Sequence, residues 1–373
     1  MLFGLLVLLG LGGCSSSSSE ADPDPVVSIA AASVTEGDSG LSTLDFVVTS
    51  TKASSTAIML TYTITAGTAT VVTDYTDNSG TVDIPATTTS VTISVPVIGD
   101  TEIEDDETLI LTLSAASGAT LGTASAVGTI VNDDNADPSG YYSSGSATIK
   151  DPGDVTSDLS LSDLKAMVND NRMLIVSPST PIVYDVTITD VTQNDFTADV
   201  TLYYGMDGDY NVFPPDPVVT TMTGTITEGS QISGTIEGTG IGTGSISLTY
   251  SQTNSTNSDI TNVVSSWKGA INTVSQIVFD FNISNTAGDI AVGLGSNAND
   301  GIFEGCRMTG SISPIADSTL YSLSVNMTES TCGEPTFEGD YTGFATTTDS
   351  NHDTLVTVFT NGTVSFSAEL AKP

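Results

Sequence analysis

The chain has 373 residues and carries 45 aspartates and glutamates against seven lysines and arginines and one histidine, for a formal net charge of −38. That balance repels nucleic-acid phosphates, which excludes nucleic acid as a partner, and it favours divalent cations wherever several acids meet. Apolar residues make up 38% and aromatics only 6%, so the cores must be built from Val, Ile, Leu and Thr-rich strands; the plentiful Gly, Ser, Thr, Asp and Asn suit turns between strands better than long helices.

Met1 to Leu11 is an apolar run too short to span a bilayer, followed by Gly12-Gly13, Cys14 and the Ser15 to Ser19 tract. This arrangement resembles the lipobox of bacterial lipoproteins. The resemblance implies a signal peptide over residues 1–13 and a lipidated cysteine at Cys14 that anchors the chain in a lipid bilayer. Residues 14–26 then form a Ser-rich tether. Ser15 stands where an aspartate would retain such proteins at the inner membrane, so the implied location is the outer membrane or cell surface. Ala21-Asp22-Pro23-Asp24-Pro25 ends the tether as an extended, stiff segment.

Residues 27–134 read as strands. Val91, Ile93, Val95 and Val97 alternate, as do Leu109, Leu111 and Leu113, each set placing apolar groups on one sheet face. Ile110 is apolar on the opposite face, which places its strand inside a sheet or under a loop. Four pieces stand out: Thr35 to Gly40 (TEGDSG), Gly67-Thr68-Ala69 followed by Asp74-Tyr75-Thr76, Gly99 to Thr108 (GDTEIEDDET), and Gly128 to Asp134 (GTIVNDD). In this order they resemble a Calx-beta domain, a family found in sodium/calcium exchangers, integrin tails and bacterial surface proteins. The resemblance implies a seven-stranded immunoglobulin-like β-sandwich holding calcium at one end.

Carried over by motif, the implied metal ligands are Glu36, Asp74, Asp100, Glu104, Asp133 and Asp134, with Ca2+ as the cofactor. Calcium takes six to eight oxygens, and carboxylates gathered this closely would otherwise repel one another. Glu102, Asp105, Asp106 and Glu107 are open between ligand and solvated rim. Two positions depart from the family pattern: Asn132 replaces the first exit aspartate, and Gly99 stands before Asp100 where a paired aspartate is usual. Fewer charges imply weaker affinity or fewer ions.

Residues 135–140 form a linker, and residues 141–373 read as a second, unrelated antiparallel β-barrel-like domain. A short helix is expected from Leu161 to Val168, where Leu161, Leu164 and Val168 recur at helical spacing behind a Ser160 cap. Tyr142-Ser143-Ser144-Gly145 and Tyr341-Thr342-Gly343 share a loose pattern compatible with terminal strands that meet. Cys306 and Cys332 are expected to form a disulfide in an oxidising compartment. Asp207-Gly208-Asp209 reads as a turn, Trp267 as a buried plug at a barrel end, and the Gly238 to Gly244 repeat as tight bends.

No catalytic apparatus is legible. His352 is the only histidine and sits in an expected exposed turn, and no serine occupies a strand-to-helix elbow. The expected function is a calcium-binding surface lipoprotein with an adhesive, spacer or structural role toward a protein or glycan partner. A barrel holding a small apolar ligand, or a subunit of an extracellular fibre or outer-membrane assembly, are the alternatives.

Overall fold

The computed structural model describes residues 24–151, 154–180, 182–204, 218–238, 242–251, 258–270, 278–284, 287–293, 307–328, 338–349, 351–363 and 365–373. Cys14 with the leader, Cys306, Cys332 and the Asp207 to Asp209 loop lie outside the described residues. The chain divides into two compact units between Asp134 and Asn135.

The first unit is a sandwich of two sheets. One contains β1 (Val26–Ile29), β3 (Gly40–Ser50), β6 (Ser90–Gly99) and β8 (Thr120–Leu121), in the order β6-β3-β1-β8. The other contains β2 (Ala32–Thr35), β4 (Ile58–Ala66), β5 (Gly80–Ile84), β7 (Glu107–Ala116) and β9 (Ser125–Val131), in the order β2-β9-β7-β4-β5. Alternation decides which face is apolar: Leu44, Phe46, Val48, Ile93, Val95 and Val97 point inward from the first sheet. Leu109, Leu111 and Leu113 meet them from the second. β7 lies between β9 and β4, which accounts for the half-buried Ile110 on its outer face.

The second unit contains two closed sheets. The first has β10 (Gly140–Asp151), β11 (Asp154–Leu161), β12 (Lys165–Asn169), β13 (Arg172–Ser177), β14 (Ile182–Thr192), β15 (Asp195–Tyr204), β16 (Val218–Thr227), β17 (Gln231–Gly238) and β18 (Gly242–Tyr250). β11 and β12 lie end to end along one edge of β10, since Ala147↔Leu161 and Tyr142↔Ala166 fall in a single antiparallel register. β18 pairs with the other edge of β10 and closes the circuit. The second barrel runs through β19 (Ser266–Ala270), β20 (Val278–Ile283), β21 (Asp289–Gly293), β22 (Arg307–Pro314), β23 (Leu320–Thr328), β24 (Gly339–Thr347), β25 (Thr354–Thr360) and β26 (Ser365–Ala371), and Lys268↔Ala371 closes it. Closure leaves the second barrel without a free edge, and in the first only the outer side of β11 lacks a neighbouring strand among the described residues.

The single barrel-like sheet expected over residues 141–373 is therefore two barrels, because β10 already finds its closing partner by Tyr250. The Tyr142 and Tyr341 segments belong to different barrels and do not meet as terminal strands. Trp267 is fully buried in the second barrel, its indole N–H donating to the Val263 carbonyl at 2.8 Å at the end of the short helix α1 (Ile260–Val263). Tyr341, Phe359 and Phe366 stack beside one another, with ring centroids 5.4 to 5.9 Å apart. Gly238 pairs with Gly242 where β17 meets β18, and residues 239–241 of the glycine repeat lie outside the described residues.

Leu161 to Val168 is not a helix. Leu161 ends β11, while Ala166, Met167 and Val168 are consecutive buried residues of β12. Both faces of this strand are covered, so alternation is lost and the apolar spacing imitates a helical one. β13 and β25 are buried on both faces for the same reason, and β13 also escapes the sequence reading. The outward residues Met167, Leu174, Val176, Val183 and Tyr203 of the first barrel pack on Leu320, Phe344, Val356 and Val358 of the second. At the rim Arg172 forms a forked pair with Asp185, 3.1 Å to each oxygen, reaches the Thr342 hydroxyl at 3.0 Å and lies 5.9 Å from the Phe344 ring centre. Lys165 crosses to Glu369 at 2.7 Å.

Phe344→Ala should open this joint, at about 3 kcal/mol for a phenylalanine truncated in a packed site. Urea unfolding should change from one joint barrel transition to an earlier, broader one; an unaltered midpoint would contradict the shared core.

Candidate functional site

Backbone pairing at one end of the sandwich gathers the acids. Gly40 pairs with Gly99, and Glu107 pairs with Ile130, which places the loops 36–40, 99–107 and 131–134 side by side. The Glu36 N–H donates to the Val131 carbonyl, and the Gly37 N–H to Asp133 Oδ1 at 2.9 Å. The 70–76 loop joins them along the free edge of β6, with the Ile98 N–H donating to the Asp74 carbonyl at 2.9 Å. Within that loop the Thr70 N–H donates to the Asp74 carboxylate, and Val72, 78% exposed, is held at φ +83°. A β-branched residue in the left-handed region is strained, and the strain accompanies the inward turn of Asp74.

All six sequence-predicted ligands meet at this end. Glu36, Asp74 and Asp134 are only 4%, 6% and 7% exposed, an unusual depth for carboxylates. Oxygens of Asp74, Glu104 and Glu107 lie within 4.8 Å of one another. Asp133, Asp38 and Asp100 lie near enough to Asp134 for their charges to act on it. Burial, followed by the charges of Asp100, Asp134, Glu104 and Asp133, pushes the Glu36 carboxyl up to about 7. Glu107 also rises to about 7, through burial and then a hydrogen bond with Asp74 and the charges of Asp74, Glu104 and Glu36. Burial and neighbouring acids raise Glu104 and Asp134 as well. Two oxygens, Glu107 Oε2 and Asp134 Oδ2, are buried without any hydrogen-bond partner. An all-oxygen cluster with orphaned buried acceptors suits a hard divalent cation.

Glu107 stands apart from Glu102, Asp105 and Asp106 as a member of the cluster. Its signal is strand parity: it shares the phase of the inward Leu109, Leu111 and Leu113. Asp106 instead accepts from the Asn132 N–H, and Asp100 from the Glu102 N–H. The two departures from the family pattern also find physical reasons. A side chain at position 99 would place its Cβ 1.9 Å from the Gly37 carbonyl oxygen, so glycine lets the Glu36-Gly37 loop dock. Asn132 braces the exit loop by donating to the Asp134 carbonyl at 3.3 Å. His352, expected in an exposed turn, is partly buried, with Nδ1 2.8 Å from the Thr347 hydroxyl.

Residues 22–135 match the sequence model of the Calx-beta domain, a non-catalytic structural and binding fold. Among solved structures, the chain is similar to an apo-form Calx CBD1 domain at 23% identity, covering 30% of this chain and 99% of that one, with a TM-score of 0.27. It is also similar to CBD12 from CALX1.2, at 16% identity over 50% of this chain and 84% of that one, TM-score 0.30. A protein of unknown function from Bacteroides ovatus matches at 11% identity over 93% of each chain, TM-score 0.24. No curated protein matches the chain.

Unfolded glutamates titrate near 4.5, whereas Glu36 and Glu107 titrate at about 7 in the fold. The native state therefore holds protons that the unfolded chain releases. This contribution is complete below pH 4.5 and disappears as pH rises through 7. With divalent ions chelated, the calorimetric transition of the sandwich should come at lower temperature at pH 8 than at pH 5; the reverse order would refute the assignment. Val72→Gly should raise sandwich stability by about 1 kcal/mol in denaturant titration, because glycine tolerates the turn at φ +83°.

Proposed function

We propose that the acidic end of the sandwich binds calcium, with Asp74, Glu104 and Glu107 holding one ion, Asp100, Asp133 and Asp134 a second, and Glu36 serving both. The observation that carries this reading is the pair of orphaned buried oxygens on Glu107 and Asp134. A bound cation supplies the positive charge and oxygen-coordinating capacity that the cluster lacks internally. Glu36 and Glu107 give up their protons as they become ligands, and the loops 36–40, 70–76, 99–107 and 131–134 are drawn together. In this reading the chain is a lipoprotein anchored through Cys14 at the outer membrane or cell surface. The ion-stiffened sandwich is a spacer or adhesive module, and the two barrels meet a protein or glycan partner. The buried aromatics of the second barrel, Trp267, Tyr341, Phe359 and Phe366, favour this reading over a container for a small apolar ligand.

Titration calorimetry at pH 7 should show calcium binding with proton release that scales with buffer ionisation enthalpy. Glu107→Gln and Asp134→Asn should each weaken binding by at least about tenfold, as expected when a charged ligand is lost from an oxygen site. Absence of both heat and thermal stabilisation at millimolar calcium would overturn the proposal.

A further inference from the structure

The sandwich takes in the chain at one pole and releases it at the other. β3 runs from Gly40, paired with Gly99 at the acidic end, to Ser50, paired with Val27 at the opposite end. The chain enters at that opposite end: the Thr51 N–H donates to the Val26 carbonyl at 2.9 Å, and the Thr120 N–H to the Pro25 carbonyl at 2.9 Å. It leaves at the acidic end, where Val131 closes β9 and Asp133 and Asp134 follow. The 11 residues of β3 set the two poles about 35 Å apart.

Between the poles the entering segment crosses from one sheet to the other. β1 lies between β3 and β8 in the first sheet, with Val27 and Ile29 in the core, whereas β2 forms the edge of the second sheet. There it runs parallel to β9 through Ala32↔Gly128, Ser33↔Thr129, Val34↔Ile130 and Thr35↔Val131. Tension applied before Val26 and after Asp134 therefore pulls β2 and β9 in opposite directions along their common axis. Inter-strand hydrogen bonds run across that axis, so the whole ladder is strained together instead of opening one bond at a time. β1 is loaded in the same way against β3 and β8. The acids span this joint: Glu36 directly follows β2, its N–H donates to the Val131 carbonyl at 3.2 Å, and the Gly37 N–H donates to Asp133 Oδ1 at 2.9 Å.

We propose that the sandwich is a load-bearing clamp: tension between the tether and the barrels is carried in shear by the β2–β9 ladder, and the Glu36 and Asp134 carboxylates form a latch across it. A cation held between residues that follow β2 and residues that follow β9 ties together the two strands that the load separates. The proposal rests on the reading of the sandwich as a spacer on an anchored tether; the shear joint itself needs no ion.

Single-molecule force spectroscopy of the full chain tests it, with the sandwich event recognised by the release of about 350 Å of chain for residues 27–134. In EDTA, pulling between the two chain ends should require at least about twice the force needed between the N-terminal end and a linkage at the exposed Ser55, which lies at the entry pole and peels β1 from β3 bond by bond. Equal forces in the two geometries would overturn the clamp. The parallel register turns the Val34 N–H toward β9, like that of Glu36, and the Ser33 N–H toward the open edge. Val34→Pro should therefore lower the end-to-end force, while Ser33→Pro on the same strand should leave it unchanged; equal losses in both would also count against the clamp. Millimolar calcium should raise the end-to-end force and leave the Ser55 force as it was. Calorimetric binding without that rise would refute the latch, whereas absence of both binding and rise would sink the calcium reading and leave the clamp supported by the EDTA comparison.

Discussion

Carboxylates that bury one another cannot all stay ionised, and this constraint governs the acidic end of the sandwich. Glu36, Asp74 and Asp134 are withdrawn from water beside Glu104 and Glu107, and like charges at these separations interact through a medium far less screening than solvent. Either protons or a cation must balance them. The raised Glu36 and Glu107 carboxyls are the proton solution. The orphaned oxygens show what that solution leaves unsatisfied, since a proton shared between two carboxyls cannot serve every buried acceptor.

Around this end, local features are arranged at some expense in backbone freedom. Val72 accepts a left-handed turn so that Asp74 can face inward, and Gly99 gives up a side chain so that the Glu36-Gly37 loop can lie against β6. Asn132 braces the exit loop by donating to the Asp134 carbonyl. The alternating apolar rows beneath supply the rigid platform, because loops are positioned only as well as the strands that carry them.

The second unit solves a different problem. Closing two sheets removes most of their edges, but closure alone does not hold two barrels together. That is done by outward residues such as Met167, Leu174, Phe344 and Val358, which would be polar on an isolated barrel, with Arg172 and Lys165 satisfying charge at the rim. Elsewhere the outer wall of the first barrel is largely threonine and serine, interspersed with acids such as Asp199 and Glu237.

The sandwich was legible in its sequence because one face of each strand is buried and the other wet, so Val91 to Val97 and Leu109 to Leu113 display their period directly. The acidic motifs were legible as well, since their spacing along the chain is characteristic. The membership of Glu107 was readable only through its phase with Leu109, and β12 was misread because burial on both faces erases the period of two. Composition and pattern thus determined an acidic, nearly all-β chain with a Calx-beta-like segment and a set of candidate ligands. Tertiary structure alone decided that residues 141–373 close as two barrels and which carboxylates are desolvated. Those outcomes depend on register and closure between segments far apart in the chain, and no local window of residues contains that information.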